Sequence, residues 1–124
     1  MPKNQEKLFP QKYLKLFRVK AEYWFKYFGL LDFDLFVRIS STNMDNLAEA
    51  TCDHFAKSAT ITISKFWPDD QLNEYEVKCT AFHEVCEIML SRLRALANGK
   101  FSEEEVNETI HSVINRLQHT IFKE

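Results

Sequence analysis

Chain breakers are scarce in this sequence, with two glycines and three prolines in 124 residues. That excludes Gly/Ser linkers and Pro-rich tracts, and no repeat or low-complexity segment is present. Cys52, Cys79 and Cys86 are odd in number and contain no Cys-x-x-Cys pair. This fits reduced thiols in a cytoplasm better than a disulfide scaffold. No apolar run approaches the roughly 20 residues of a membrane span. The N-terminus lacks the apolar core and cleavage site of a secretory signal. Net charge is also low, formally −2, so the global positive field that nucleic acid selects is missing. Lys3, Lys7, Lys12, Lys15, Arg18, Lys20 and Lys26 make the N-terminal stretch locally basic. At helical spacing they read as the solvated face of an amphipathic helix.

What is present fits one domain spanning 1–124. A chain of this length buries roughly two-thirds of its unfolded surface, so stability requires neither a disulfide nor a metal. Apolar residues make up 45%, which argues against disorder, and eleven are Phe. So many Phe imply either a tightly packed core or an aromatic surface for a partner. Asn107-Glu108-Thr109 matches a glycosylation acceptor, but it lies within an expected helix and reads as coincidence.

The periodicities predict α+β in the order α-β-β-β-α-α, with a three-stranded antiparallel sheet covered by helices. The first helix spans 10–28, with Pro10 in its first turn, the stripe Leu14, Phe17, Ala21, Trp24 and Phe28, and Gly29 as its stop. Strands are expected at 34–40, 48–55 and 59–64, with Lys57-Ser58 turning a hairpin between the last two. An aspartate of Trp67-Pro68-Asp69-Asp70 caps a long helix at 71–97, whose expected apolar face is Tyr75, Phe82, Val85, Met89, Leu93 and Leu96. The last helix, 102–122, opens with the capping box Ser102-x-x-Glu105 and carries the stripe Val106, Ile110, Val113, Leu117 and Ile121.

Chemistry concentrates in His83-Glu84-Val85-Cys86-Glu87, on the shoulder of the long helix's buried stripe. Side chains four apart share a helix face, so His83 and Glu87 can grip one ion without distorting the helix; this is the mechanics of His-Glu-x-x-His. Glu84 and Glu87 have no Lys or Arg three or four residues away, whereas Glu74 has Lys78. Solvated helix charges usually find such a cation. Cys79 and Cys86 flank His83; small buried hydrophobes are their commoner role, and a Cys86–His83 nucleophilic pair lacks an orienting group. The last helix presents Glu104, Glu108, His111, Asn115 and His119 in a second polar row. Packed antiparallel on the long helix, it would set Glu108 or His111 opposite His83 as a third ligand. The alternative is an exposed face.

From about Trp24 onward the chain resembles small zincin-like, metallopeptidase-like proteins, many encoded by phages and prophages. The resemblance rests on Phe28-Gly29-Leu30, Asp32-Phe33-Asp34 and Lys57-Ser58-Ala59-Thr60-Ile61-Thr62-Ile63. It continues in Thr80-Ala81-Phe82-His83-Glu84-Val85-Cys86-Glu87-Ile88-Met89-Leu90 and His111-Ser112-Val113-Ile114-Asn115-Arg116-Leu117. It implies a minimal zincin-like fold, His83 as a metal ligand and Glu84 as the general base. Where the family has a second His, this chain has Glu87. Carboxylate is a legitimate zinc ligand, but it shifts a site toward harder divalent metals.

Two functional expectations follow. The altered ligand slightly favours a catalytically degenerate phage or prophage accessory protein, acting in the host cytoplasm by binding a host or phage protein. Helix one's aromatics and Phe66-Trp67 would then be its contact surface. The alternative is an active metal-dependent peptidase. There His83, Glu87 and His111 or Glu108 hold zinc or another divalent ion, Glu84 deprotonates water, and an exposed edge of Ala59–Ser64 holds an extended peptide. Nucleic-acid binding lacks any base-reading motif and ranks last.

Overall fold

The computed structural model describes residues 5–122; Lys3 of the basic stretch lies outside them. A short strand β1 (Glu6–Leu8) precedes helix α1 (Gln11–Tyr27). Pro10 is the residue before the helix rather than part of its first turn, and its carbonyl accepts from the N–H groups of Tyr13 and Leu14. Gly29 ends α1 at φ +73°. There Leu30 N–H reaches the Phe25 carbonyl and Gly29 N–H that of Lys26, a Schellman closure that needs the left-handed backbone glycine tolerates. The buried face is Leu14, Phe17, Ala21 and Phe25. Trp24 and Phe28 sit half-buried on its flank.

Three strands follow: β2 (Asp34–Ile39), β3 (Ala48–Asp53) and β4 (Ser58–Ile63). The expected hairpin joins β3 and β4 antiparallel, but its turn is residues 54–57 rather than Lys57-Ser58: β3 ends at Asp53 and Ser58 already belongs to β4. Asp53 Oδ1 accepts from the N–H groups of Phe55 and Ala56, and Lys57 takes φ +58°. The wholly antiparallel sheet is not formed. Strand order is β2-β4-β3, and β2 runs parallel to β4, so the sheet is mixed. Burial explains the order: β4 alternates with Ala59, Ile61 and Ile63 fully inside, while β3 carries Glu49, Thr51 and Asp53 exposed. The strand with the most to bury takes the centre. Ala59–Ser64 is therefore not an edge; the free edges belong to β2 and β3.

A second, two-stranded sheet pairs β1 with β5 (Phe66–Pro68). It carries Trp67 into the core, where Phe9 packs on it at 4.9 Å. This pairing also moves the next helix start. Asp69 N–H donates to the Gln5 carbonyl, and its carboxylate meets Lys7 at 3.1 Å. Residues Asp69–Gln71 make a 3-10 turn, and helix α2 (Glu74–Ala97) begins after Asn73, whose side chain accepts from Glu76 N–H at 2.9 Å. The cap is thus an asparagine, three residues beyond the expected aspartates.

Helix α3 (Glu103–Ile121) carries the predicted capping box, with Ser102 and Glu105 bonding each other's backbone. Ser102→Ala is expected to cost about 1 kcal/mol, measured by urea denaturation. Two clusters make the core. Sheet, α1 and α2 enclose Phe17, Ala21, Ile61, Ile63, Trp67, Val77 and Val85. Between α2 and α3 lie Phe82, Cys86, Val106, Ile110 and Ile114. Because α2 is covered on two sides, its buried surface is broader than one stripe. Tyr75, Leu93 and Leu96 are exposed instead, as are Val113 and Ile121 on α3. No helix among the described residues is long and apolar enough to cross a membrane.

Candidate metal centre

The two long helices run antiparallel, as Arg94 beside Asn107, Glu87 beside His111 and Phe82 beside Phe122 show. This packing brings one ligand atom each of His83, Glu87 and His111 within 4.8 Å of one another. Glu87 Oε2 lies 3.3 Å from His83 Nε2 and 2.8 Å from His111 Nε2. Of the two residues the last helix was expected to offer, it is His111 that converges. Glu108 does not join the converging group.

Glu87 also has a cation, which the three- and four-residue spacings do not reveal. Arg94, seven residues on, donates from Nη2 to Glu87 Oε1 at 2.9 Å and from Nη1 to Asn107 Oδ1 at 3.0 Å. Asn107, set aside in the sequence as a chance motif, therefore belongs to the site. Its signal was only its place one turn before His111 on the same helix. Burial alone would raise the Glu87 carboxyl, but hydrogen bonds from His83, His111 and Arg94 outweigh it and bring it down to about 2. An ionised carboxylate only accepts, so both imidazoles present Nε2–H to it. The Glu87 bond in turn raises His83 above its usual value, with burial opposing.

Glu84 behaves oppositely. It is 7% exposed, accepts no hydrogen bond among the described residues, and lines the same pocket of about 590 Å3 as the triad. Burial pushes it up to about 8, only partly offset by His83. Two carboxyls three residues apart thus sit in contrasting states, one fixed as an anion and one holding its proton at neutral pH. Such a split is characteristic of acid–base sites.

The cysteines divide. Cys86 turns away into the α2–α3 core, fully buried, and burial pushes its thiol up to about 12. That removes it as a nucleophile. Cys79 is buried and lines the pocket, but it is not part of the converging group.

The donor set fits a divalent ion. Two nitrogens and one carboxylate oxygen match the three-ligand sets of catalytic zinc, and donors about 2.0–2.1 Å from a tetrahedral ion stand roughly 3.3 Å apart. The 3.3 Å pair already has that spacing, and the 2.8 Å pair needs to open slightly. Glu87 Oε1, tied to Arg94, gives the carboxylate the outer hydrogen bond that ligating groups generally have. Compared with protein-family models, curated proteins and solved structures, the chain finds no match in any of the three.

Proposed function

We propose that this protein is a metal-dependent hydrolase of zincin-like design, acting on extended peptides. The observation that carries the reading is the convergence of His83, Glu87 and His111 beside a buried Glu84 that has no hydrogen-bond partner among the described residues. Glu87 stands where the related motif has His, and His111 restores the second imidazole from the other helix. The set remains two histidines and one carboxylate, permuted rather than depleted. His83, Glu87 and His111 would hold zinc or a similar divalent ion. When bound, such an ion supplies Lewis acidity, lowering the pKa of water toward 7 and polarising a carbonyl.

The remaining roles belong to the chain. Glu84 is the general base in its ionised form: burial raises it to about 8, so only a minority carries the free carboxylate at neutral pH, and a bound cation beside it would favour that form. Arg94 holds Glu87 Oε1, leaving Oε2 to face the histidines. To hold an ion, His83 and His111 would each have to present an unprotonated Nε2, so acid would oppose loading.

The peptide platform is the free edge of β3. Leu47 C=O accepts from Ser64 N–H at 2.8 Å. By alternation, Glu49 and Thr51 also point their backbone groups at β4, whereas Ala48, Ala50 and Cys52 direct theirs to the open edge. Ala48 and Ala50 line the pocket beside His83 and Glu84, so a strand added there would pass over those two residues.

A second reading, a metal-free partner-binding protein, draws on the complete hydrogen bonding of Glu87: the network joins α2 to α3 without an ion. Metal analysis separates the two. Protein purified after zinc-replete expression is expected to hold one ion per chain, and His83→Ala to bind zinc at least about 100-fold more weakly. Metal-free wild-type protein would sink the hydrolase.

A further inference from the structure

The open edge of β3 also carries information about which peptide it takes. The inner face of the sheet is set by Ala48, Ala50 and Cys52, which share register with Ile63, Ile61 and Ala59. By alternation the outer face carries Glu49, Thr51 and Asp53, and Glu49, at the open edge, also lines the rim of the His83–Glu84 pocket. Across that outer face Glu49 is followed by Thr62 on β4 and then Arg38 on β2. Arg38 stands two strand spacings away, about 9.5 Å, and the two form no ion pair. No other cation among the described residues pairs with Glu49. An exposed, unpaired carboxylate thus sits at the middle of the platform, flanked by two alanines whose N–H and C=O groups face outward.

An antiparallel peptide bonding to Ala48 and Ala50 makes its hydrogen-bonded pairs with those residues. The intervening peptide residue then faces Glu49 as a non-hydrogen-bonded pair, where the two Cα atoms approach to about 4.5 Å and side chains are closest. Its side chain emerges on the outer face, beside the Glu49 carboxylate. Its two neighbours point inward, over the small side chains of Ala48 and Ala50 and toward the His83–Glu84 pocket.

We propose that Glu49 is a specificity residue, selecting extended peptides with Lys or Arg at the position facing it. The assignment rests on the hydrolase reading for its platform. It adds the substrate class: a basic side chain between two residues that face the pocket.

The test is binding, read by fluorescence anisotropy. Labelled eight-residue peptides carry Lys, norleucine or Glu at one scanned position, with all other residues uncharged. Wild-type protein is expected to bind the best Lys peptide about 3- to 5-fold more tightly than its norleucine counterpart, the size of a cross-strand charge pair. The preference should shrink with added salt. Glu49→Gln abolishes it and Glu49→Lys turns it toward the Glu peptide; circular dichroism of both variants should be unchanged, since Glu49 is exposed on an edge strand. A Lys preference that survives charge reversal, or no preference at all, overturns the assignment. Cleavage and metal content are measured on the same samples. Metal-dependent cleavage without charge preference removes Glu49's role alone. Charge-selective binding by protein that neither holds metal nor cleaves removes the hydrolase alone.

Discussion

Glu84→Gln is expected to lower peptide hydrolysis by about 10²–10⁴-fold, the usual contribution of a general base, while zinc stoichiometry stays at that of the wild type. The same substitution should stabilise the metal-free protein at alkaline pH. Glu84 is raised from 4.5 to about 8 by burial. Between those values the unfolded chain has released this proton and the folded chain still holds it, so stability falls as pH rises across that window. At pH 8 the cost is about 4–5 kcal/mol. Gln cannot ionise and escapes it. Chelator-treated wild type and variant, melted between pH 5 and 8.5, should therefore diverge progressively. Parallel curves would show that Glu84 is not held as a buried acid. Loss of activity with gain of stability is the signature of a residue kept for chemistry.

Glu87→Ala should act in the reverse sense. It removes the one acceptor shared by His83, His111 and Arg94, in a position where the Glu87 side chain is 19% exposed. Two imidazoles with ring centroids 5.4 Å apart then face a guanidinium with no anion between them. The expected loss is about 2–3 kcal/mol at pH 6 in metal-free protein, measured by urea denaturation. Because Glu87 is lowered to about 2, its contribution is complete above about 4.5 and disappears as pH falls through about 2. His83, raised by Glu87, contributes below about 6.5 and loses that contribution as pH rises through its folded value. The penalty of Glu87→Ala should thus be greatest between those limits. A penalty independent of pH would mean packing, not charge, holds this corner.

Much of this was legible locally. The capping box at Ser102, the stop at Gly29, the alternation of Ala59–Ile63 and the hairpin before it are decided by residues close in sequence. The reach of His111 was legible only in part: two antiparallel helices joined by a short turn leave few registers, but Glu108 and His111 both stayed open as the residue opposite His83, and the contact with Glu87 was not foreseen. Strand order was not. Whether β2 lies beside β3 or β4 depends on which strand is better buried at the centre, a comparison among three segments at once. Arg94 escaped for a related reason: its long side chain spans two turns because Asn107, on another helix, braces the guanidinium. Residues 6–8 carry no strand pattern of their own; they extend because Phe66–Pro68 offers an edge.

The arrangement of α2 and α3 has a consequence for how the molecule comes together. Every residue of the triad lies on one helical hairpin, with Glu87 and His111 only 24 positions apart. The β1–β5 pairing, by contrast, joins Glu6 to Pro68, closing a loop of about 60 residues and losing more chain entropy. Local contacts form first in most small domains. The Glu87 network therefore belongs to the early-forming half of the molecule, and Trp67 is sealed under Phe9 late. Hydrogen exchange during refolding would show the order directly, with amides around Cys86 and Ile110 protected before those of Lys7 and Trp67.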